Sequence, residues 1–276
     1  MVWGLKMWDH PLYYANTPTM SIPMTATATK FRPAASRGQT KIDWLDSHHS
    51  FSFGRYHDPA WPGFRQLRVI NEDWVAPAQG FAPHSHQDME IVSLVLKGEL
   101  SHRDSIGNGS LIKPGEIQRM SAGSGITHSE YNPSDSQPVH FLQIWIIPQR
   151  LGTPPSYEQA PYDLAAGNGA WQLLVGGQDE ADATTTTKAA DRPKVTVQQD
   201  VQLWRTQLQA DQHLDYPLRA GRAAWLQVIS GELSLELAGG AQQLQAGDGL
   251  GVEHVTNLSL MGGGNTGAEL LLFDLA

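Results

Sequence analysis

From Gly38 onward the apolar positions of the chain fall in short runs: Gln66–Ile70, Glu90–Leu96, His140–Ile147, Gln172–Val175, Val195–Val197, Ala224–Ile229, Glu232–Leu237 and Glu269–Phe273. They are set among Gly, Pro, Asn and Asp and are rich in β-branched and aromatic residues, which predicts strands rather than helices. Many short strands with turn residues at near-regular spacing give an all-β sandwich or barrel. Two stretches lie outside this rhythm. Between Thr17 and Ala35 the chain is rich in Thr, Ala, Pro and Met without sustained periodicity. Residues 1–35 therefore read as a loose N-terminal extension, or as sequence ahead of a true start at Met20 or Met24. Residues 178–193 hold Asp179, Glu180, Asp182, the Thr184–Thr187 run and Asp191-Arg192-Pro193, and read as a mobile linker. The expected organisation is an extension (1–35), a first barrel (36–177), the linker (178–193) and a second barrel (194–276).

The two halves resemble one another. Gly98-Glu99-Leu100-Ser101 recurs as Gly231-Glu232-Leu233-Ser234, and Lys113-Pro114-Gly115-Glu116 is echoed by Gln245-Ala246-Gly247-Asp248. Each first motif follows an apolar strand, so duplication of one barrel is the expectation. The motif glycines then supply positive φ at hairpin turns.

Composition narrows the chemistry. A chain of 276 residues accommodates two domains of roughly 110–130 residues each. Nineteen Lys and Arg against 28 Asp and Glu give a net charge of −9, which lacks the basic footprint of a direct nucleic-acid binder. No apolar run approaches the ~20 residues of a membrane-spanning helix, and a cytoplasmic location is the default expectation. The sequence names no protein partner. With no cysteine, disulfides, thiolate metal sites and cysteine nucleophiles are excluded. Metal chemistry must use carboxylates and the 11 histidines.

Their placement is informative. His84-Ser85-His86 precedes a strand, and His128-Ser129-Glu130 repeats the spacing 44 residues later. On a strand, residues two apart share a face. Neighbouring strands would bring three imidazoles and one carboxylate to one point. Such a nitrogen and oxygen donor set suits Fe(II), Mn, Co, Ni or Cu and leaves coordination positions open. Glu90 shares the parity of His84 and His86, so it is a second candidate carboxylate.

The string Gly80-Phe-Ala-Pro-His84-Ser-His86-Gln-Asp-Met-Glu90, followed by Gly98, resembles the first cupin motif. Pro114-Gly115-Glu116 through Gly123, His128 and Asn132 resembles the second. Ser121-Ala-Gly-Ser-Gly-Ile-Thr-His128-Ser-Glu130-Tyr-Asn132 is similar to the pirin family of bicupins. So are Trp44-Leu-Asp46, Ser50-Phe-Ser-Phe53, Leu67-Arg-Val-Ile-Asn71, Gln143-Ile-Trp145-Ile and the terminal Leu272-Phe-Asp274-Leu. The resemblance implies a bicupin, two tandem antiparallel β-barrels of the double-stranded β-helix or jelly-roll type. It also implies one metal, usually iron as Fe(II), held in the first barrel by His84, His86, His128 and Glu130. General cupins use the first-motif glutamate instead, which would make Glu90 the ligand. With Glu130 as ligand, Glu90 orients an imidazole N–H or a bound water, and either carboxylate is a candidate catalytic base. Bacterial pirins imply quercetin 2,3-dioxygenase activity on a flavonol and O₂. The vertebrate member implies the alternative, a non-enzymatic, iron-dependent redox-sensing regulator.

The repeat offsets map His84 and His86 onto Pro217 and Arg219, and His128 and Glu130 near Leu260 and Gly262, so the second barrel is expected to carry no metal. His48-His49 reads as an exposed or capping pair, or as residues lining a pocket mouth. His57, His102 and His140 lack partner spacing and read as structural or surface residues. Phe53, Phe81, Phe141 and Trp145 read as core by default, or as a slot for a flat aromatic ligand.

Overall fold

The computed structural model describes residues 27–177 and 192–276. The expected extension as far as residue 26 and the expected linker from 178 to 191 lie outside the described residues. The first strands are β1 (Ala28–Arg32), β2 (Gly38–Ile42), β3 (Leu45–His49), β4 (Leu67–Val75), β5 (Gly80–His86), β6 (Glu90–Lys97) and β7 (Leu100–Asp104). Next come β8 (Gly109–Ile112), β9 (Glu116–Ser121), β10 (Ile126–Tyr131), β11 (Val139–Ile146), β12 (Ser156–Pro161), β13 (Gln172–Gly177) and β14 (Val195–Val197). The last are β15 (Val201–Leu208), β16 (His213–Pro217), β17 (Ala223–Leu237), β18 (Gly240–Gln245), β19 (Gly249–Glu253), β20 (Asn257–Gly262) and β21 (Ala268–Leu275).

These strands build the same barrel twice. In the first, a seven-stranded sheet runs β12-β9-β6-β11-β4-β3-β2 and faces a four-stranded sheet, β5-β10-β7-β8. In the second, β1-β19-β17-β21-β15-β13-β14 matches the large sheet, and β16-β20-β17-β18 matches the small one. Strand β17 is long enough to serve both sheets, where β6 and β7 are separate strands in the first barrel. Gly98 and Gly231 have φ of 79° and 77°, and Gly115 and Gly247 have 86° and 84°. The sequence repeat is thus a structural one, with the same positive-φ residue at each equivalent turn.

The two large sheets pack face to face. Val92 and Leu94 of β6, Ile117 of β9 and Leu142, Ile144 and Ile146 of β11 share one core with Val195, Leu203, Trp225, Leu271 and Phe273 of the second barrel. Trp225 is fully buried, its ring 4.8 Å from Phe51 and 5.4 Å from Phe64. Alternation along the strands therefore sends one face to the other barrel and the opposite face inward.

Two expected boundaries move. Residues 28–32 are not loose: β1 pairs antiparallel with β19, Ala28 opposite Glu253 and Arg32 opposite Gly249. Arg32 is also buried against the first barrel, bonded to the Tyr56 hydroxyl (2.6 Å) and Asp58 (3.3 Å), while Lys30 lies over the Trp61 ring at 4.3 Å. These contacts order the segment. Strand β13, expected in the first barrel, pairs with β15 and β14 and so belongs to the second.

Candidate metal centre

The small sheet of the first barrel positions the histidines. Strands β5 and β10 run antiparallel with His84 opposite His128 and His86 opposite Ile126. Pro83, which has no N–H for a ladder, sits on β5, the edge strand of its sheet. The register shifts between His128 and Glu130, which sets Phe81 opposite Glu130. A bulge of this kind re-aims side chains beside a site. Gly80 lets β5 approach closely, since a Cβ there would lie 2.2 Å from the Glu130 carbonyl oxygen.

The result is convergence. Ligand atoms of His84, His86 and His128 lie within 4.8 Å of one another, with His86 Nε2 2.9 Å from His128 Nε2. His84 donates from Nδ1 to the Ala82 carbonyl at 2.9 Å, which leaves its Nε2 as a lone-pair donor. Burial and then the neighbouring histidines push His86 down to about 3 and His128 down to about 2. Both rings are neutral at physiological pH, the state a metal ligand requires.

Glu130 lies in the same interior, 1% exposed, and groups with His128 and His102 rather than with His84 and His86. Its carboxylate is held in place: Gln143 Nε2 donates to Oε2 at 2.8 Å and Ser93 Oγ to Oε1 at 3.4 Å. Trp145 Nε1 donates to Gln143 Oε1 at 3.1 Å, which fixes the amide so that its NH₂ faces the carboxylate.

Glu90 lies elsewhere. It is buried and accepts from Ser121 Oγ at 2.7 Å, with Arg119 and the Gln198 backbone N–H nearby. Burial raises its pKa. It shares its face of β6 with Val92 and Leu94, which pack against the second barrel, whereas Ser93 faces Glu130. The expected role of Glu90 as ligand, orienting group or base at this centre is not compatible with that position. The parity argument fails because β5 and β6 belong to different sheets, and the chain turns between them at Asp88, φ 49°.

Sequence reasoning set aside two residues that the fold brings in. His102 is fully buried, its ring 5.3 Å from that of His128, and lies opposite Glu130 in the β7–β10 ladder. The available signal was His102-Arg103-Asp104, the same two-residue strand spacing as the other motifs. His49 is buried, with Nδ1 2.8 Å from Asn71 Oδ1 and Nε2 2.9 Å from Thr40 Oγ1, rather than exposed. His48 stays near the surface beside Asp46.

A cavity of about 50 Å³ is lined by His49, Phe53, Asn71, Asp73, Phe81 and Gln143 among others. It reaches the centre through Gln143, the partner of Glu130. Phe81 lies 6.4 Å from the His84 ring, and Trp145 lies 4.9 Å from His86 and 5.4 Å from Phe53. Three of the four expected slot aromatics therefore border the site; Phe141 is core. Asp73 is buried, and its Oδ1 has no hydrogen-bond partner among the described residues.

The equivalent interior of the second barrel differs. The β16–β20 register pairs Tyr216 with Leu258, as β5–β10 pairs His84 with His128. Leu235 opposes Leu260, as His102 opposes Glu130. Positions equivalent to the ligands thus carry Tyr216, Leu258 and Leu260 inside an apolar core, one or two residues from those the linear offset indicated.

Two jelly-roll barrels in tandem, one with a histidine-lined interior and the other with an apolar one, define a bicupin with its candidate metal centre in the first barrel. The chain belongs to the pirin family. The family's Pirin profile matches residues 30–146, and that of the quercetinase C-terminal cupin domain matches residues 184–275. The quercetin 2,3-dioxygenase of Escherichia coli K12 is 39% identical over 244 residues, 88% of this chain and 97% of that one. The crystal structure of YhhW from Escherichia coli superposes with a TM-score of 0.79 at 39% identity, covering 90% of this chain and 98% of the other. The nickel(II) complex of the bacterial pirin YhhW gives 0.78 at 38% identity, covering 90% and 99%.

Proposed function

We propose that this pirin is a metal-dependent oxidoreductase that opens a flavonol such as quercetin with O₂, using His84, His86, His128 and Glu130 as the metal-binding set. The observation that carries the reading is the convergence of three imidazoles, two of them held neutral by burial, with a fixed carboxylate beside them. The donor set fits a divalent transition metal, Fe(II) first, with Mn, Co, Ni or Cu as alternatives, and a relative binds nickel(II). Such an ion would supply Lewis-acid stabilisation of a phenolate and the redox partner that O₂ chemistry needs.

The protein's own groups do the remaining work. His84 is the most accessible of the three rings and marks the side from which substrate approaches. Glu130, held by Gln143 and Ser93, accepts the proton of the flavonol hydroxyl as general base. Phe53 and Phe81 wall the adjoining cavity and direct the edge of a flat ring toward Gln143. Aerobic incubation of iron-loaded protein with quercetin, followed by flavonol absorbance, tests the reading. Loss of absorbance that disappears in Glu130→Ala supports it, and unchanged absorbance in the wild type contradicts it.

The cavity volume favours a second reading. About 50 Å³ is far below the ~300 Å³ at which pockets enclose drug-sized ligands. Either the aromatic walls part for substrate, or the centre serves an iron-dependent redox-sensing binding protein. Partner binding that differs between ferrous and ferric protein, without flavonol turnover, would favour the latter.

A further inference from the structure

We propose that Asp104 and His102 act as positioning residues that lock the tautomer of His128, so that its Nε2 lone pair faces the metal-binding point. The inference rests on the reading of this site as a metal centre. It starts at Asp104, whose side chain is fully enclosed. Oδ1 accepts the backbone N–H groups of Ile106 (3.1 Å) and Asn108 (2.9 Å), and Oδ2 accepts Asn108 Nδ2 (2.9 Å). Donors at both oxygens hold the group as a carboxylate, which can only accept.

His102 Nε2 lies 3.3 Å from Asp104 Oδ2, so that nitrogen carries the proton. The other nitrogen of a neutral imidazole then has the lone pair. His102 Nδ1 faces His128 Nδ1 at 3.5 Å. Of two facing nitrogens only one can donate, and that one is His128 Nδ1. His128 Nε2 is left bare, and it is the atom that meets His86 Nε2. The reverse tautomer would put an N–H where a metal must bind.

The arrangement is held from both sides. The His102 ring stacks on Tyr157 at 5.0 Å, and the Tyr157 hydroxyl is tied to Ser110. The β7–β10 ladder sets Asp104 opposite His128 and His102 opposite Glu130. A buried carboxylate that orients a histidine pair is the kind of support that metal-binding imidazoles require.

Nitrogen-15 NMR of the metal-free wild type reads the tautomer directly, and His128 is expected to be protonated at Nδ1. In Asp104→Asn the amide can turn its NH₂ toward His102 and invert both rings, as amide substitution of a histidine-orienting aspartate does in hydrolytic triads. Nickel(II) affinity by calorimetry is then expected to fall about 10- to 100-fold. His102→Phe, which has no acceptor, should lose as much. His102→Gln, which keeps an acceptor for His128 and a donor for Asp104, should recover most of the affinity. Thermal unfolding identifies any variant that does not fold, and the wild-type tautomer still decides the matter.

The proposal is overturned if wild-type His128 carries its proton at Nε2. It is overturned equally if Asp104→Asn binds nickel as tightly as the wild type. A folded His102→Gln as weak as His102→Phe would make His102 itself a ligand, which also overturns it. Wild type that binds no nickel would remove the metal reading, whereas the tautomer, measured without metal, stands or falls separately.

Discussion

Substituting Asp73 by Asn should raise stability in a strongly pH-dependent way. Burial, with repulsion from Glu130 and Glu72 added and a Ser47 hydrogen bond opposing, lifts this carboxyl from 3.8 to about 7. The folded protein therefore binds the proton more tightly than the unfolded chain. The stability contributed by the protonated acid, about 4 kcal/mol, is complete below pH 4 and is lost as pH rises through 7. About 3 kcal/mol of it disappears between pH 5 and pH 8. Asparagine has nearly the same shape and stays neutral throughout. The stability difference between Asp73→Asn and wild type should thus grow by about 3 kcal/mol in favour of the variant over that interval. Urea unfolding of both metal-free proteins at pH 5 and pH 8 measures it, and other titrating groups cancel in the comparison. A difference that does not change with pH would refute the argument that Asp73 is buried without adequate compensation.

Three further outcomes follow from named contacts. Glu90→Gln should leave nickel content and flavonol turnover at wild-type levels, because Glu90 faces the second barrel; loss of either would return it to the centre. In Gly80→Ala, the added Cβ would meet the Glu130 carbonyl oxygen at 2.2 Å and push β5 off β10. Thermal unfolding should show a loss of about 1–3 kcal/mol, with calorimetry showing weaker nickel binding, and a fully stable, tight-binding variant would contradict the close approach. Free nickel(II) at a hundred times its dissociation constant should stabilise the wild type by about 2.7 kcal/mol. Unfolding curves of His128→Ala should show no such gain.

What the sequence made legible was local. Period-two spacing on a strand paired His84 with His86 and His128 with Glu130, since those relations need only a strand's own geometry. The glycines at 98, 115, 231 and 247 exposed the duplication because each fills a positive-φ turn. Relations between distant segments were less accessible. The parity of Glu90 was correct in linear count and wrong in space, because the turn at Asp88 moves the chain to another sheet. His102 meets His128 only through the β7–β10 register, which no local pattern specifies. Strand β1 finds its partner about 220 residues away, among Gly249–Glu253, so its Thr- and Ala-rich sequence carried no sign of pairing. The linear repeat offset missed the ligand-equivalent positions by one or two residues, because turn lengths differ between the barrels.

The central claim, that His84, His86, His128 and Glu130 hold a single metal ion in the first barrel, is tested most directly by metal content. Wild type, His84→Ala, His128→Ala and Glu130→Ala, each reconstituted with Fe(II) under anaerobic conditions and desalted, would be assayed by elemental mass spectrometry. The account predicts one ion per chain in the wild type, a near-complete loss in both histidine variants and a marked reduction in Glu130→Ala. Full metal content in folded His128→Ala, whose ring lies against both His84 and His86, would contradict it.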